Sequence, residues 1–263
     1  MVLPSPADVP ASDQQLQKYL RAAAARGRDV EQIGPFLATF DRQTDHRYLN
    51  YAIPEDGAQP TTGDVAALID AYRRRGRLPR LEFLPGAAPY AESALLAGGF
   101  AVEGRLPAMT CAPGQAADVA PPAGFALGVP AGDDDLRAMS TVQHAAFGDG
   151  PPDAAAIGRS RAAIGAGALA VFARAQATGE IVGGGATTVP GGGVAEVVGI
   201  GVAEPYRRRG LAAAITARLT HDAFAAGVTT AYLTPGDDGA HRVYGRAGYV
   251  DTTVMLHISL PER

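Results

Sequence analysis

Between residues 195 and 234 the chain runs strand, basic glycine loop, helix and strand without a break, an order that few backbone arrangements satisfy. Glu196-Val-Val-Gly-Ile-Gly-Val202 reads as a strand, Ala203-Glu204-Pro205-Tyr206 as a turn and Leu211 to Ala226 as a helix. A strand–helix–strand crossover of this length predicts a parallel pair between Ala195–Val202 and Thr229–Thr234. The loop Arg207-Arg208-Arg209-Gly210 falls at the start of the helix. There the first backbone N–H groups have no partner, and the helix dipole favours negative charge. Gly210 lets backbone approach a ligand, and the small Ala212 and Ala213 keep that approach open. The arginines add charge-assisted hydrogen bonds suited to phosphate oxygens. The stretch predicts an anion site.

Composition removes several other classes. An apolar fraction of 47% supports a packed core, and 263 residues suffice for one large or two small domains. The formal net charge of −4 gives no electrostatic footprint for nucleic acid. The single cysteine, Cys111, can form neither an intrachain disulfide nor a structural zinc site. No His or Lys lies near it in sequence, so it reads as a buried, inert thiol. No apolar run reaches membrane-spanning length, and Met1-Val-Leu-Pro-Ser-Pro6 lacks the pattern of a signal peptide, so a soluble, cytoplasmic protein is expected. His144, His221, His241 and His257 are scattered without metal-ligand spacing, and no metal is expected. Gly183-Gly-Gly185 and Gly191-Gly-Gly193 flank a hairpin and have no dinucleotide-binding context.

The N-terminal half predicts helices over 12–26, 65–75 and 89–97, and strands over 33–39, 48–53, 81–84 and within 100–111. Residues 112–124, rich in Pro, Gly and Ala, read as a linker. Beyond it the predicted order is β-α-α-β-β-β-α-β-α-β-β, with helices over 133–147, 152–165, 211–226 and 238–246. The halves share a pattern. Leu81-Glu-Phe-Leu-Pro85 matches Ala231-Tyr-Leu-Thr-Pro235, and Gly99-Phe100 matches Gly248-Tyr249, which suggests a tandem arrangement. Arg73-Arg74-Arg75-Gly76 repeats the basic-glycine pattern but follows its helix, so it reads as ordinary termination.

Val202-Ala-Glu-Pro-Tyr-Arg-Arg-Arg-Gly-Leu-Ala212 resembles the acyl-coenzyme A loop of the GCN5-related N-acetyltransferases, Arg-x-x-Gly-x-Gly/Ala after a hydrophobic strand. Ala212 stands for the second glycine, and the resemblance covers about residues 125–260. It implies the GNAT fold, an α/β (α+β) architecture with a mixed central sheet flanked by helices. Residues 1–111 would be a degenerate GNAT-like lobe, 112–124 a linker and 125–263 the complete domain. It also implies acetyl-coenzyme A as cofactor and a small-molecule amine or peptide as acceptor. Nucleic acid and membrane are not expected as partners, and a homodimer stays open.

The resemblance assigns roles residue by residue. Main-chain groups of Ile200, Gly201 and Val202 would pair with the pantetheine arm, and Arg207, Arg208, Arg209, Gly210, Leu211, Ala212 and Ala213 would hold the pyrophosphate. His241-Arg-Val-Tyr244-Gly-Arg-Ala-Gly-Tyr249 resembles the family's Tyr-x-x-x-Gly-Phe/Tyr signature, which makes Tyr244 the acid for the departing thiolate or else a packing residue. Glu196 would be the base for the amine, or a polar residue at a strand end. Asp237 stands where many relatives carry a cofactor-touching Asn, and it serves equally well as a helix cap. One active site per chain is expected. A non-catalytic acyl-coenzyme A sensor or scaffold is the alternative.

Overall fold

The computed structural model describes residues 12–261. The N-terminal hexapeptide considered as a targeting signal lies outside them. The described residues form two compact units, one of residues 12–108 with 251–261 and the other of residues 109–250.

The first unit begins with α1 (Asp13–Ala24), capped by the Ser12 side chain. The hairpin β1 (Asp29–Ile33) and β2 (Phe36–Phe40) follows, with Ile33 opposite Phe36. The single strand expected over 33–39 is thus two strands, because Gly34 takes a left-handed φ of 51° and turns the chain. A single 3-10 turn at 47–49 and β3 (Ala52–Pro54) replace the strand expected over 48–53. Helix α2 (Thr62–Arg74) opens with a reciprocal Thr61–Asp64 capping box. It ends at Arg75 and the left-handed Gly76, as its termination chemistry predicts. Then come β4 (Arg80–Phe83), α3 (Ala91–Ala97) and the long β5 (Ala101–Cys111). Strands β3 and β4 are parallel, with α2 as their crossover.

In the second unit β6 (Phe125–Gly128) leads into α4 (Asp133–Phe147), with three aspartates in its first turn, and α5 (Ala154–Gly165), capped by Asp153. The antiparallel strands β7 (Ala170–Ala175), β8 (Ile181–Thr187) and β9 (Val194–Val202) follow. Helix α6 (Leu211–Ala225) crosses to β10 (Thr230–Leu233), which is parallel to β9 as predicted. Helix α7 (Asp238–Arg246) and β11 (Val250–Ser259) end the order. Gly183, Gly184 and Gly185 let β8 lie between two helices. A Cβ on Gly184 would stand 2.3 Å from Met139 of α4, and one on Gly183 3.1 Å from Ile215 of α6. The glycine run is therefore a packing device.

The expected lobes do not coincide with these units. Leu256–Ser259 of β11 pair antiparallel with Arg80–Phe83, so the closing strand completes the first unit's sheet rather than the C-terminal one. Met109–Cys111, at the end of β5, pair with β10 in the second unit. Residues 112–124 are packed rather than spacer-like. Ala117 N–H donates to the Ala247 carbonyl, and Val119 packs on the core. Among the described residues no helix is long and apolar enough to cross a membrane.

Candidate functional site

Strands β9 and β10 pair only from Thr230↔Val194 to Tyr232↔Glu196, whereas β9 stays paired with β8 as far as Val202. The β10-facing side of β9 is therefore open from Val197 onward. A bulge reinforces the divergence. The β8–β9 register shifts between Gly184 and Ala186, and Gly199 adopts φ 64°. Gln143 of α4 donates to the Gly199 carbonyl at 2.7 Å and fixes the bulge from one face. Gly201 has no room for a side chain, since a Cβ would meet the Gln143 backbone at 3.0 Å. Ile200 and Gly201 thus lie in the diverging segment the sequence singled out.

Beyond Val202 the loop is tied down by its own arginines. Arg207 Nε donates to the Val202 carbonyl at 3.0 Å, and Arg209 donates to the Pro205 carbonyl at 3.0 Å while lying over the Tyr206 ring. Tyr206 in turn donates to Glu180. Arg208 differs from its neighbours. It has a left-handed φ of 62°, a conformation costing a non-glycine residue about 1–2 kcal/mol. Gly210 is left-handed as well, at φ 93°, and caps α6 with no side chain. The first helical bond runs from Ala214 N–H to the Gly210 carbonyl, so the N–H groups of Leu211, Ala212 and Ala213 have no partner in the helix. Two left-handed residues before an uncapped helix make a concave row of donors that suits an anion.

These donors line a cleft of about 460 Å³ between the start of α6 and the side of α7. It contains Val202, Arg207, Arg208, Gly210, Leu211, Ala212 and Ala213 from the expected set. Ile200, Gly201, Arg209, Asp237, Glu196 and Tyr244 are not on its wall. Its opposite side is Gly239, Arg242, Val243 and Arg246, which the sequence reading passed over. The signal was present, because Arg242 and Arg246 are four residues apart on a short helix and share a face.

The remaining candidates fall as follows. Asp237 is the N-cap of α7, accepting from Ala240 N–H at 2.7 Å. Tyr244, two turns on, packs against the core beside Tyr249. Burial, and then the Asp237 charge, push its phenol up to about 12. Glu196 is half-buried, at the last position of β9 that pairs with β10. Its N–H donates to Thr188 Oγ1 at 2.9 Å, which fixes the backbone where the strands part. His144 bonds the Gly150 carbonyl at 2.8 Å and shapes the α4–α5 loop. Cys111 is fully buried, and burial pushes its thiol up to about 12.

Residues 137–249 match the model of the acetyltransferase (GNAT) family. Among solved structures, a GCN5-related N-acetyltransferase from Kribbella flavida is 27% identical with a TM-score of 0.82, over 97% of this chain and 98% of its own. A GCN5-related N-acetyltransferase from Sphaerobacter thermophilus shares the fold at 18% identity and a TM-score of 0.68, over 98% and 95% of the two chains. So does a tandem GNAT protein from the clavulanic acid biosynthesis pathway, at 13% identity and 0.62, over 97% and 91%. No curated protein matches the chain.

Proposed function

We propose that this chain is an N-acetyltransferase of the acetyltransferase (GNAT) family that uses acetyl-coenzyme A as donor in a ternary complex, a reading supported by the family match over residues 137–249 and by the 27% identical GCN5-related N-acetyltransferase. The observation that carries this reading is the cleft in which Arg208, Gly210 and the free N–H groups of α6 converge. Those donors suit a pyrophosphate, and the open edge of β9 beside them suits an amide-bearing arm added like a strand. Acyl transfer forms a bond from the amine nitrogen to the thioester carbon and breaks the carbon–sulfur bond. Main-chain N–H groups near Val202 position the carbonyl and stabilise its developing negative charge. Glu196 takes the proton from the amine, and Tyr244 gives its proton to the thiolate. The acceptor class is a small-molecule or peptide amine. The chain has one active site.

Calorimetric titration of acetyl-coenzyme A into the wild type and Gly210→Glu tests the reading. Glutamate puts negative charge and a strained left-handed side chain where the pyrophosphate belongs, while open space around the Gly210 Cβ position spares the core. Binding by the wild type with loss of at least about a hundredfold in a folded variant is expected. A wild type that binds no acetyl-coenzyme A removes the reading.

Asp237→Asn is expected to preserve the α7 cap and to tighten acetyl-coenzyme A binding roughly two- to fivefold, because a carboxylate near an anionic ligand is removed. The same change lets the Tyr244 phenol fall toward its ordinary range. Equal affinities of wild type and variant would show that Asp237 acts only as a cap.

A further inference from the structure

Helix α2 ends in more positive charge than its termination uses. The N–H groups of Arg75 and Arg77 donate to the Tyr72 carbonyl, Gly76 N–H donates to the Arg73 carbonyl, and the Arg75 side chain donates to the Ala71 carbonyl. Arg75 is also paired with Glu31 at 2.8 Å and lies over the Phe40 ring. Arg77 stands beyond the helix. Its Nε donates to Oδ1 of the buried Asn50 at 3.2 Å and its Nη1 to the Arg75 carbonyl at 3.3 Å, which fixes the guanidinium and leaves Nη2 free among the described residues. The Arg73 side chain has no hydrogen bond or ion pair with any described residue. Arg73 and Arg77 border one cleft of about 510 Å³ in the first unit. Leu78, Pro79 and Leu260 give it an apolar wall, and none of the described residues around it is acidic. Leu260 N–H donates to the Pro79 carbonyl at 2.9 Å, which fixes that wall. Helix termination explains neither the apolar wall nor the clamp on Arg77.

We propose that this cleft binds a small organic acid, with Arg73 and Arg77 on its carboxylate and Leu78, Pro79 and Leu260 against an apolar body. A carboxylate is planar, and a guanidinium presents parallel donors that match its two oxygens. Arg77 is held by Asn50 before any ligand arrives, so it loses little freedom on binding. The volume and the lining, mostly apolar with a few placed polar groups, are those of a small-molecule site. The opposite end of α2 offers an anion less, because the reciprocal Thr61–Asp64 capping box takes up its first donors and places a carboxylate there. The inference is independent of the coenzyme reading, whose residues all lie in the second unit.

Calorimetric titration of the full chain at low ionic strength with octanoate, octanol and acetate tests it. Octanoate carries both charge and chain, and each of the others lacks one. The wild type is expected to bind octanoate with a Kd of about 1 mM or tighter, and octanol and acetate at least about tenfold more weakly. Arg73→Gln is expected to weaken octanoate binding about tenfold and to leave octanol unchanged. Arg73→Lys, which keeps the charge and loses the fork, recovers part of the affinity. Arg73 is exposed and unpaired among the described residues, so both variants are expected to melt with the wild type. A wild type that takes up no octanoate overturns the proposal. So does equal binding of octanoate and octanol, which would show a greasy surface without an anion site. Octanoate binding that survives Arg73→Gln unchanged overturns it as well, by placing the acid elsewhere on the chain. Each of these results leaves the coenzyme reading intact.

Discussion

Tyr244→Phe is expected to lower kcat about a hundredfold while acetyl-coenzyme A titrates into the variant with unchanged affinity. The phenol is half-buried, and burial and the Asp237 charge together raise it to about 12, so it stays protonated throughout the neutral range and can donate. Phenylalanine keeps the ring beside Tyr249, at 6.5 Å between centroids, and removes only the proton. The raised value also has a sign for stability. A group whose proton is held more tightly in the folded chain contributes fully below its unfolded value, here 10.0, and the contribution disappears as pH rises toward about 12. Tyr249 and Cys111 are shifted in the same direction, chiefly by burial. The chain is therefore expected to lose stability above about pH 10, and denaturant midpoints between pH 8 and 12 would show it. An unchanged kcat in Tyr244→Phe would leave Tyr244 as a packing residue.

The parts legible in the sequence are those whose cause is local. Helices α4 and α7 begin and end where their capping chemistry predicts, because Asp133–Asp135, Gly148 and Asp237 act within one turn. The loop at 207–210 and the parallel crossover to β10 follow from short-range order in the same way. Pairing between distant segments is not encoded in periodicity. Nothing in Leu256-His-Ile-Ser259 says that it pairs with β4 rather than with its neighbours in sequence. Residues 112–124 were legible as irregular but not as packed, since composition reports missing repetitive hydrogen bonds and not missing contacts. Arg208 could be nominated from its type, yet its left-handed backbone, which separates it from Arg207 and Arg209, is a property of the folded turn. Arg242 and Arg246 needed the opposite inference, from a helix face to the cleft it borders.

Arg80→Met is expected to cost the first unit about 3–5 kcal/mol, a third or more of an ordinary domain's stability. Arg80 is fully buried on β4, where its Nε meets the Glu103 carboxylate at 3.0 and 3.2 Å and its Nη1 pairs with Glu82. Arg47 also bonds Glu103, at 2.7 Å, and the Tyr48 ring lies over the Arg80 guanidinium. Burial alone would raise the Glu103 carboxyl, but Ser259, Arg80 and Arg47 outweigh it and hold the group below its usual range. Glu82 and Glu103 keep side chains only 16% and 17% exposed, so removing the arginine takes a close cationic partner from both, with Glu103 left to Arg47 and Ser259. The sign of the pH dependence identifies the cause. In the wild type the depressed Glu103 contributes stability above its unfolded value, lost as pH falls through the folded one. In Arg80→Met the Glu103 carboxyl loses one of the groups that hold it down while its burial remains, so acid restores part of what the substitution removed. Urea unfolding of wild type and variant from pH 7 down to 5 is expected to show the gap narrowing. A gap constant with pH would assign the loss to packing, because Met fills less of the space than Arg does, and would show that the charges contribute little to holding β4, β5 and β11 together.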